Sequence, residues 1–122
     1  MSALGSHLKA LRQSRKRVGK GVGNDAYSLR GTAEIIGVTP GYLSLLENGG
    51  TETISDNTLL ALAKHLGEDP DVLLIMAGRV SEELMEIISK RPEVFSTLIK
   101  QLKDVPDAQI TKIVREIRDG EW

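Results

Sequence analysis

The chain is 122 residues long, which is room for one compact domain or for a small domain with an added helical segment. It has no cysteine, which excludes disulfide bonds and thiolate metal sites. We find no apolar run long enough to span a membrane and no signal peptide, so we expect a cytoplasmic protein.

The formal net charge of −1 conceals an uneven distribution along the chain. Residues 1–50 carry seven basic and three acidic side chains, whereas residues 51–122 carry nine basic and fourteen acidic ones. A basic N-terminal half is typical of proteins with a polyanionic partner. A solvated charge cluster beside a flexible loop would give the same pattern.

Apolar residues spaced three and four apart predict helices along nearly the whole chain. Leu4, Leu8 and Leu11 predict a first helix that ends near Ser14. Residues 15–25 then carry four basic side chains and three glycines, a composition that predicts a mobile loop.

The next helices are recognised by their capping residues. Ser28 is suited to cap a second helix that ends at Gly37, and Thr39 with Pro40 is suited to start a third. One of residues 55–57 caps a fourth helix, which ends at Gly67, and Asp69 and Pro70 open a short fifth helix. Three further amphipathic helices are predicted to begin at Ser81, Pro92 and Pro106.

The second and third helices have the features of a helix-turn-helix unit. Ala33 is small where two helices would cross closely, and Gly37 suits the turn between them. Apolar residues stand where such a pair would bury its inner face, namely at Ile36, Val38, Leu43 and Leu46.

This pattern resembles the XRE-like helix-turn-helix family, which includes the lambda and 434 repressors and Cro. The resemblance covers residues 8–77 and rests on an ordered set of segments: residues 8–12, 33–39, 42–49, 58–67 and 71–74. It implies an all-α fold with a five-helix lambda-repressor-like domain over residues 1–78. Residues 81–122 would form a C-terminal helical tail.

The resemblance also implies how the chain would meet DNA. The third helix would lie in the major groove, with Thr39, Pro40, Gly41, Ser44 and Leu45 facing the bases. Phosphates would be bound by Ser28, Leu29 and Arg30 at the start of the second helix, and by Tyr42 and Asn48. Arg12 and Glu47 would form a structural charge pair.

The sequence departs from the family at the residues that would face the bases. The family often has Gln, Lys or Arg at the position of Leu45, and Pro40 and Gly41 offer no side-chain donors. Leu45 could instead pack against a thymine methyl group, or the shape of the DNA could carry the specificity. Loss of sequence-specific binding is the other reading.

The connection between the first and second helices is about ten residues longer than the family's usual turn. It contains Arg15, Lys16, Arg17 and Lys20, and we expect these to follow the DNA backbone or to enter a neighbouring minor groove. The alternative is a loop whose charges serve only solubility.

The three C-terminal helices are too short to bury their apolar faces alone. They need either the N-terminal domain or a second copy of the chain, and the two-fold symmetry of DNA half-sites favours a homodimer. The candidate interface residues are Phe95, Leu98, Ile99, Leu102, Ile110, Ile113, Val114 and Ile117.

These observations predict a sequence-specific regulator that represses transcription by binding palindromic double-stranded DNA as a homodimer, associated with the nucleoid. The alternatives are an antitoxin or antirepressor whose tail binds another protein, and a nonspecific nucleoid protein. We find no catalytic set, phosphate-binding loop or metal cluster, so we expect neither an enzyme nor a cofactor.

Overall fold

A computed structural model describes residues 2–18, 24–51 and 53–120, except for the side chains of residues 2, 17, 18, 24 and 25. Helices account for most of the described residues. In chain order they are α1 Ser2–Val18, a 3-10 helix Asn24–Tyr27, α2 Leu29–Ile36, α3 Pro40–Glu47, α4 Asp56–Leu66, α5 Pro70–Met76, α6 Glu82–Lys90, α7 Pro92–Leu102 and α8 Asp107–Asp119.

Side-chain caps fix where several helices begin. The Oγ atom of Ser28 accepts from the amide of Gly31 at 3.0 Å, and Thr39 Oγ1 accepts from the amide of Tyr42 at 3.1 Å. Ser55, one of the three candidates, is the residue that caps α4. These bonds satisfy amides that have no partner within the first turn of a helix.

The predicted loop at residues 15–25 differs from the structure at both ends. Helix α1 continues to Val18, and residues 24–27 form the 3-10 helix. Arginine and lysine favour helix, and no glycine or proline stands between Ser14 and Gly19 to end α1 earlier. Arg15 also donates from Nε to the Leu66 carbonyl at 2.8 Å, which holds this part of α1 against the end of α4.

The chain divides into two units, residues 1–81 and residues 82–122. Every buried apolar side chain among the described residues belongs to the first unit, where α1 to α5 enclose the core. Its largest fully buried apolar members are Leu8, Leu43, Leu59, Leu62, Leu66 and Leu73. The first unit therefore has a complete hydrophobic core of its own.

The second unit is built differently. Helices α6 and α7 pack against each other, but none of the described residues in α6, α7 or α8 is buried. Apolar side chains along these helices remain exposed, including Val94 and Ile99. Among the described residues, no helix has the length and hydrophobicity that crossing a membrane requires.

Candidate nucleic-acid interface

Helices α2 and α3 are joined by a tight turn at Gly37. Gly37 has a φ of 81°, in the left-handed region that glycine adopts without strain, and the amide of Val38 returns to the carbonyl of Ala33 at 2.9 Å. Ala33 and Leu43 are fully buried at the contact between the two helices. The turn and the small residue together set the orientation of α3.

The predicted pair of Arg12 and Glu47 is brought together in the interior. Arg12 donates from Nε to Glu47 Oε2 at 2.7 Å and from Nη2 to Oε1 at 2.9 Å, a two-point contact. Its Nη1 also donates to the carbonyl of Tyr27 at 3.2 Å. Because both side chains are buried, this cluster fixes α1, the 3-10 helix and the end of α3 relative to one another.

The N-terminal half of α3 presents an exposed surface. Thr39, Pro40, Gly41 and Leu45 are exposed and Ser44 is half-buried, and all five are residues predicted to face DNA bases. Leu43 and Leu46 on the same helix are buried. The helix is therefore anchored by its apolar face, while the predicted base-facing residues remain accessible.

Two predicted phosphate ligands have side chains that are already engaged within the protein. The hydroxyl of Tyr42 donates to the carbonyl of Thr53, so its single proton is not directed outward. The side-chain amide nitrogen of Asn48 donates to the carbonyl of Ser44 at 2.8 Å and approaches Ser44 Oγ at 3.4 Å. A phosphate contact by either side chain would require exchange of these bonds.

The start of α2 lies on the N-terminal side of the turn. Arg30 is exposed, while Ser28 and Leu29 are half-buried. The amide of Thr32 donates the first backbone hydrogen bond of this helix, to the carbonyl of Ser28 at 2.9 Å. Helical geometry provides no partner within α2 for the amides of Leu29 and Arg30, and such amides favour an anion.

The predicted basic cluster is only partly described. Arg15 and Lys16 are both exposed, but the Nε of Arg15 donates to the carbonyl of Leu66. The side chain of Arg17 and all of Lys20 lie outside the described residues. Within the described part of the chain, Arg15 and Lys16 are thus both accessible, and Arg15 already has a partner within the protein.

Several contacts that position the motif gave no signal in the sequence. His65 Nε2 donates to the carbonyl of Ala26 at 2.6 Å, and its ring stacks on Tyr27 with centroids 4.7 Å apart. His7 pairs with Glu68 at 3.0 Å. Each joins residues that are far apart in sequence and on no shared periodic face, so no local pattern reveals them.

The candidate dimer residues lie on α7 and α8. Phe95, Leu102 and Ile110 are half-buried, and the remaining five are exposed: Leu98, Ile99, Ile113, Val114 and Ile117. These apolar side chains are therefore accessible on α7 and α8.

The fold and the exposed helix α3 define a helix-turn-helix protein. A model of the helix-turn-helix domain family HTH_31 matches residues 3–74, more than half of the chain, and the chain belongs to this family. The match confirms the predicted all-α fold class and is consistent with the XRE-like resemblance. A domain of this kind is typical of DNA-binding regulators. Neither a curated protein nor a solved structure matches the chain.

Proposed function

We propose that this protein is a sequence-specific regulator that binds double-stranded DNA through α3 and represses transcription as a homodimer. The observation that carries the proposal is the accessible N-terminal half of α3, held in place by its buried face and by the Arg12–Glu47 pair. A helix presented in this way has the dimensions to enter the major groove. With DNA as its partner, the protein would act in the cytoplasm, at the nucleoid.

The test is selection of bound duplexes from a randomised DNA pool. A built Cβ at Gly41 meets no atom within 4 Å, so Gly41→Glu can be accommodated by the fold while placing a negative charge on the DNA-facing surface. We expect enrichment of a palindrome with half-sites about one helical turn apart, lost in the variant. Retention without enrichment would favour the nonspecific nucleoid protein, and no retention would favour the protein-binding alternative.

Repression is proposed because occupancy of a promoter by a bound dimer is sufficient to block transcription. We expect transcription in vitro from a template that carries the selected palindrome to fall as the protein is added, and transcription from a scrambled template to be unchanged. An increase in transcript would contradict repression and leave DNA binding intact.

The basic cluster is proposed to bind phosphates beside the recognition site. Because Arg15 has a structural partner, the test variant should change only Lys16, Arg17 and Lys20 to alanine. For every phosphate that the variant no longer neutralises, the slope of log affinity against log salt should become shallower by about 0.9. Replacement of the exposed Lys64, Lys90 and Arg91 by alanine is the charge-matched control, and equal slopes for both variants would contradict this role.

The homodimer is proposed to form through the exposed apolar face of residues 82–120. A second copy of the chain is the proposed partner because a palindromic site requires a two-fold symmetric protein. Residues 82–120 carry eight acidic and seven basic side chains, so their net charge is close to zero and like-charge repulsion does not oppose self-association.

A further inference from the structure

The DNA-facing surface of α3 has an unusual chemical composition. The helix reads Pro-Gly-Tyr-Leu-Ser-Leu-Leu-Glu, and its one charged residue, Glu47, is buried. No amide or basic side chain is present between Thr39 and Glu47. The paired hydrogen bonds by which proteins read guanine or adenine use such groups, so α3 is poorly equipped for them.

The hydroxyl groups on this surface also make hydrogen bonds within the protein. Thr39 Oγ1 accepts from the amide of Tyr42 at 3.1 Å, and Ser44 Oγ lies 3.4 Å from the amide nitrogen of Asn48. The hydroxyl of Tyr42 donates to Thr53. Acceptance of a base donor by Thr39 or Ser44 would therefore compete with these bonds, and the one proton of each hydroxyl cannot form a paired contact to a base.

Leu45 is the large side chain that this surface offers instead, with 54% of its area exposed. Gly41 lies one turn earlier on the same face, and a Cβ built there meets no atom within 4 Å. The backbone at Gly41 can therefore approach a groove wall closely, which leaves Leu45 as the protruding group.

The other side of Leu45 is supported by the protein. A Cβ built at Gly50 would lie 2.8 Å from Leu45 Cδ2, and the amide of Gly50 donates to the carbonyl of Leu45 at 2.7 Å. The absence of a side chain at Gly50 provides the space in which Leu45 rests. Leu45 is thus supported by Gly50 on its protein side and accessible on the side that faces solvent.

We propose that Leu45 determines sequence specificity by packing against the C5-methyl group of a pyrimidine in the major groove. This inference rests on the proposed DNA-binding function. The C5-methyl is the apolar group that base edges present there, and among the standard bases only thymine has it. A 5-methylcytosine presents the same group, so the chemistry admits both sources.

The experiment replaces each thymine of the selected operator in turn with uracil, which removes the methyl and keeps the base pair. We expect one position in each half-site at which affinity falls roughly four-fold, the value for burial of one methyl group. In Leu45→Ala and in the polar, similarly sized Leu45→Asn, the same replacement should have no effect. Leu60→Ala removes a comparably exposed leucine from α4 and should retain the full four-fold response.

A second arm separates the two sources. At the sensitive position, a C·G pair is compared with a 5-methylcytosine·G pair. A gain of affinity on methylation in the native protein, absent in Leu45→Ala, would show that Leu45 reads the methyl whichever base carries it. A response to uracil alone would assign recognition to thymine.

Two results would overturn the inference while the proposed function stands: an enriched operator at which every thymine-to-uracil replacement is neutral, or a uracil response that persists unchanged in both Leu45 variants. Failure to enrich or bind any duplex would overturn both proposals together. Circular dichroism and unfolding of each variant establish that it is folded, as expected for substitutions at exposed positions.

Discussion

Arg12 illustrates how one residue connects the parts of the motif. Its guanidinium directs all three nitrogens to the carboxylate of Glu47 and the carbonyl of Tyr27. Only 8% of Arg12 and 5% of Glu47 is exposed. If one partner were removed, water could therefore not solvate the charge of the other. The pair specifies geometry more than it adds stability, because removing two charges from water offsets most of their attraction.

Breaking this pair from one side should therefore be costly. Glu47→Gln keeps the shape of the side chain and leaves the Arg12 charge buried without a counter-charge, and we expect a loss of about 3 kcal/mol in the free energy of unfolding. Urea titration followed by circular dichroism measures it.

The matched control is the more solvent-accessible pair of Arg79 and Asp56, whose Nη1 and Oδ1 atoms are 2.8 Å apart. Arg79→Gln should change stability by less than about 1 kcal/mol, because solvent screens the pair. Equal effects of the two substitutions would contradict the assignment of the Arg12 pair as a buried structural contact.

At the level of single residues, the sequence predicts what is locally determined. Ser28 and Thr39 cap helices and Gly37 forms the turn, as predicted. Each of these roles depends only on residues within three or four positions. The direction of the Tyr42 hydroxyl does not follow from the sequence, because its acceptor, the carbonyl of Thr53, is 11 residues away. Acceptors on neighbouring backbone compete with any external ligand.

At the level of helices, the packing of α1 against α3 depends on Gly5. A Cβ built at Gly5 would collide with the carbonyl oxygen of Leu46 and lie 2.8 Å from that of Glu47. Both neighbours are backbone atoms, so no side-chain rotation could relieve the collision. Apolar spacing identifies Leu4 and Leu8 as core residues, but it carries no information about a close backbone approach.

Two glycine-to-alanine substitutions in helices should consequently have opposite effects. Gly5→Ala forces α1 away from α3, and we expect a loss of about 1–3 kcal/mol, as for other overpacked sites. Gly41→Ala meets no neighbour within 4 Å and should gain about 0.5–1 kcal/mol, because alanine is the better helix former. Urea titrations of both variants without DNA give the comparison.

The same sign of the stability change for both substitutions would show that helix propensity, rather than the contact between α1 and α3, governs the effect at Gly5.

The C-terminal end of α1 also depends on both local preference and a distant contact. The predicted boundary is too early because a cluster of basic residues resembles a loop in composition, whereas arginine and lysine are good helix formers. The Arg15–Leu66 bond, which joins two distant segments, then stabilises that end of the helix.

At the level of the whole molecule, the two units use apolar residues in different ways. Residues 1–81 bury a set of leucines in their core, whereas none of the described residues in α6 to α8 is buried. Periodicity in the sequence predicts an apolar face for every helix but does not distinguish a face that is covered from one that awaits a partner. That distinction depends on tertiary contacts and, under the proposed homodimer, on the assembly of α7 and α8 with a second copy.

Removal of the second unit should therefore separate folding from assembly. The fragment 1–81 retains every buried apolar residue described, and we expect it to unfold cooperatively as a monomer, with the full chain sedimenting as a dimer. In the full chain, Leu98→Asp places a charge on the exposed apolar face of α7 and should yield monomers. Thr97→Asp adds the same charge at the neighbouring position, which points about 100° away around the helix, and should leave the dimer intact.

Because a monomer contacts one half-site, both the fragment and Leu98→Asp should bind the palindrome more weakly and lose their dependence on the second half-site. A dimeric fragment would place the self-association surface within residues 1–81, and a monomeric full chain would leave the apolar face of α7 and α8 to a different protein.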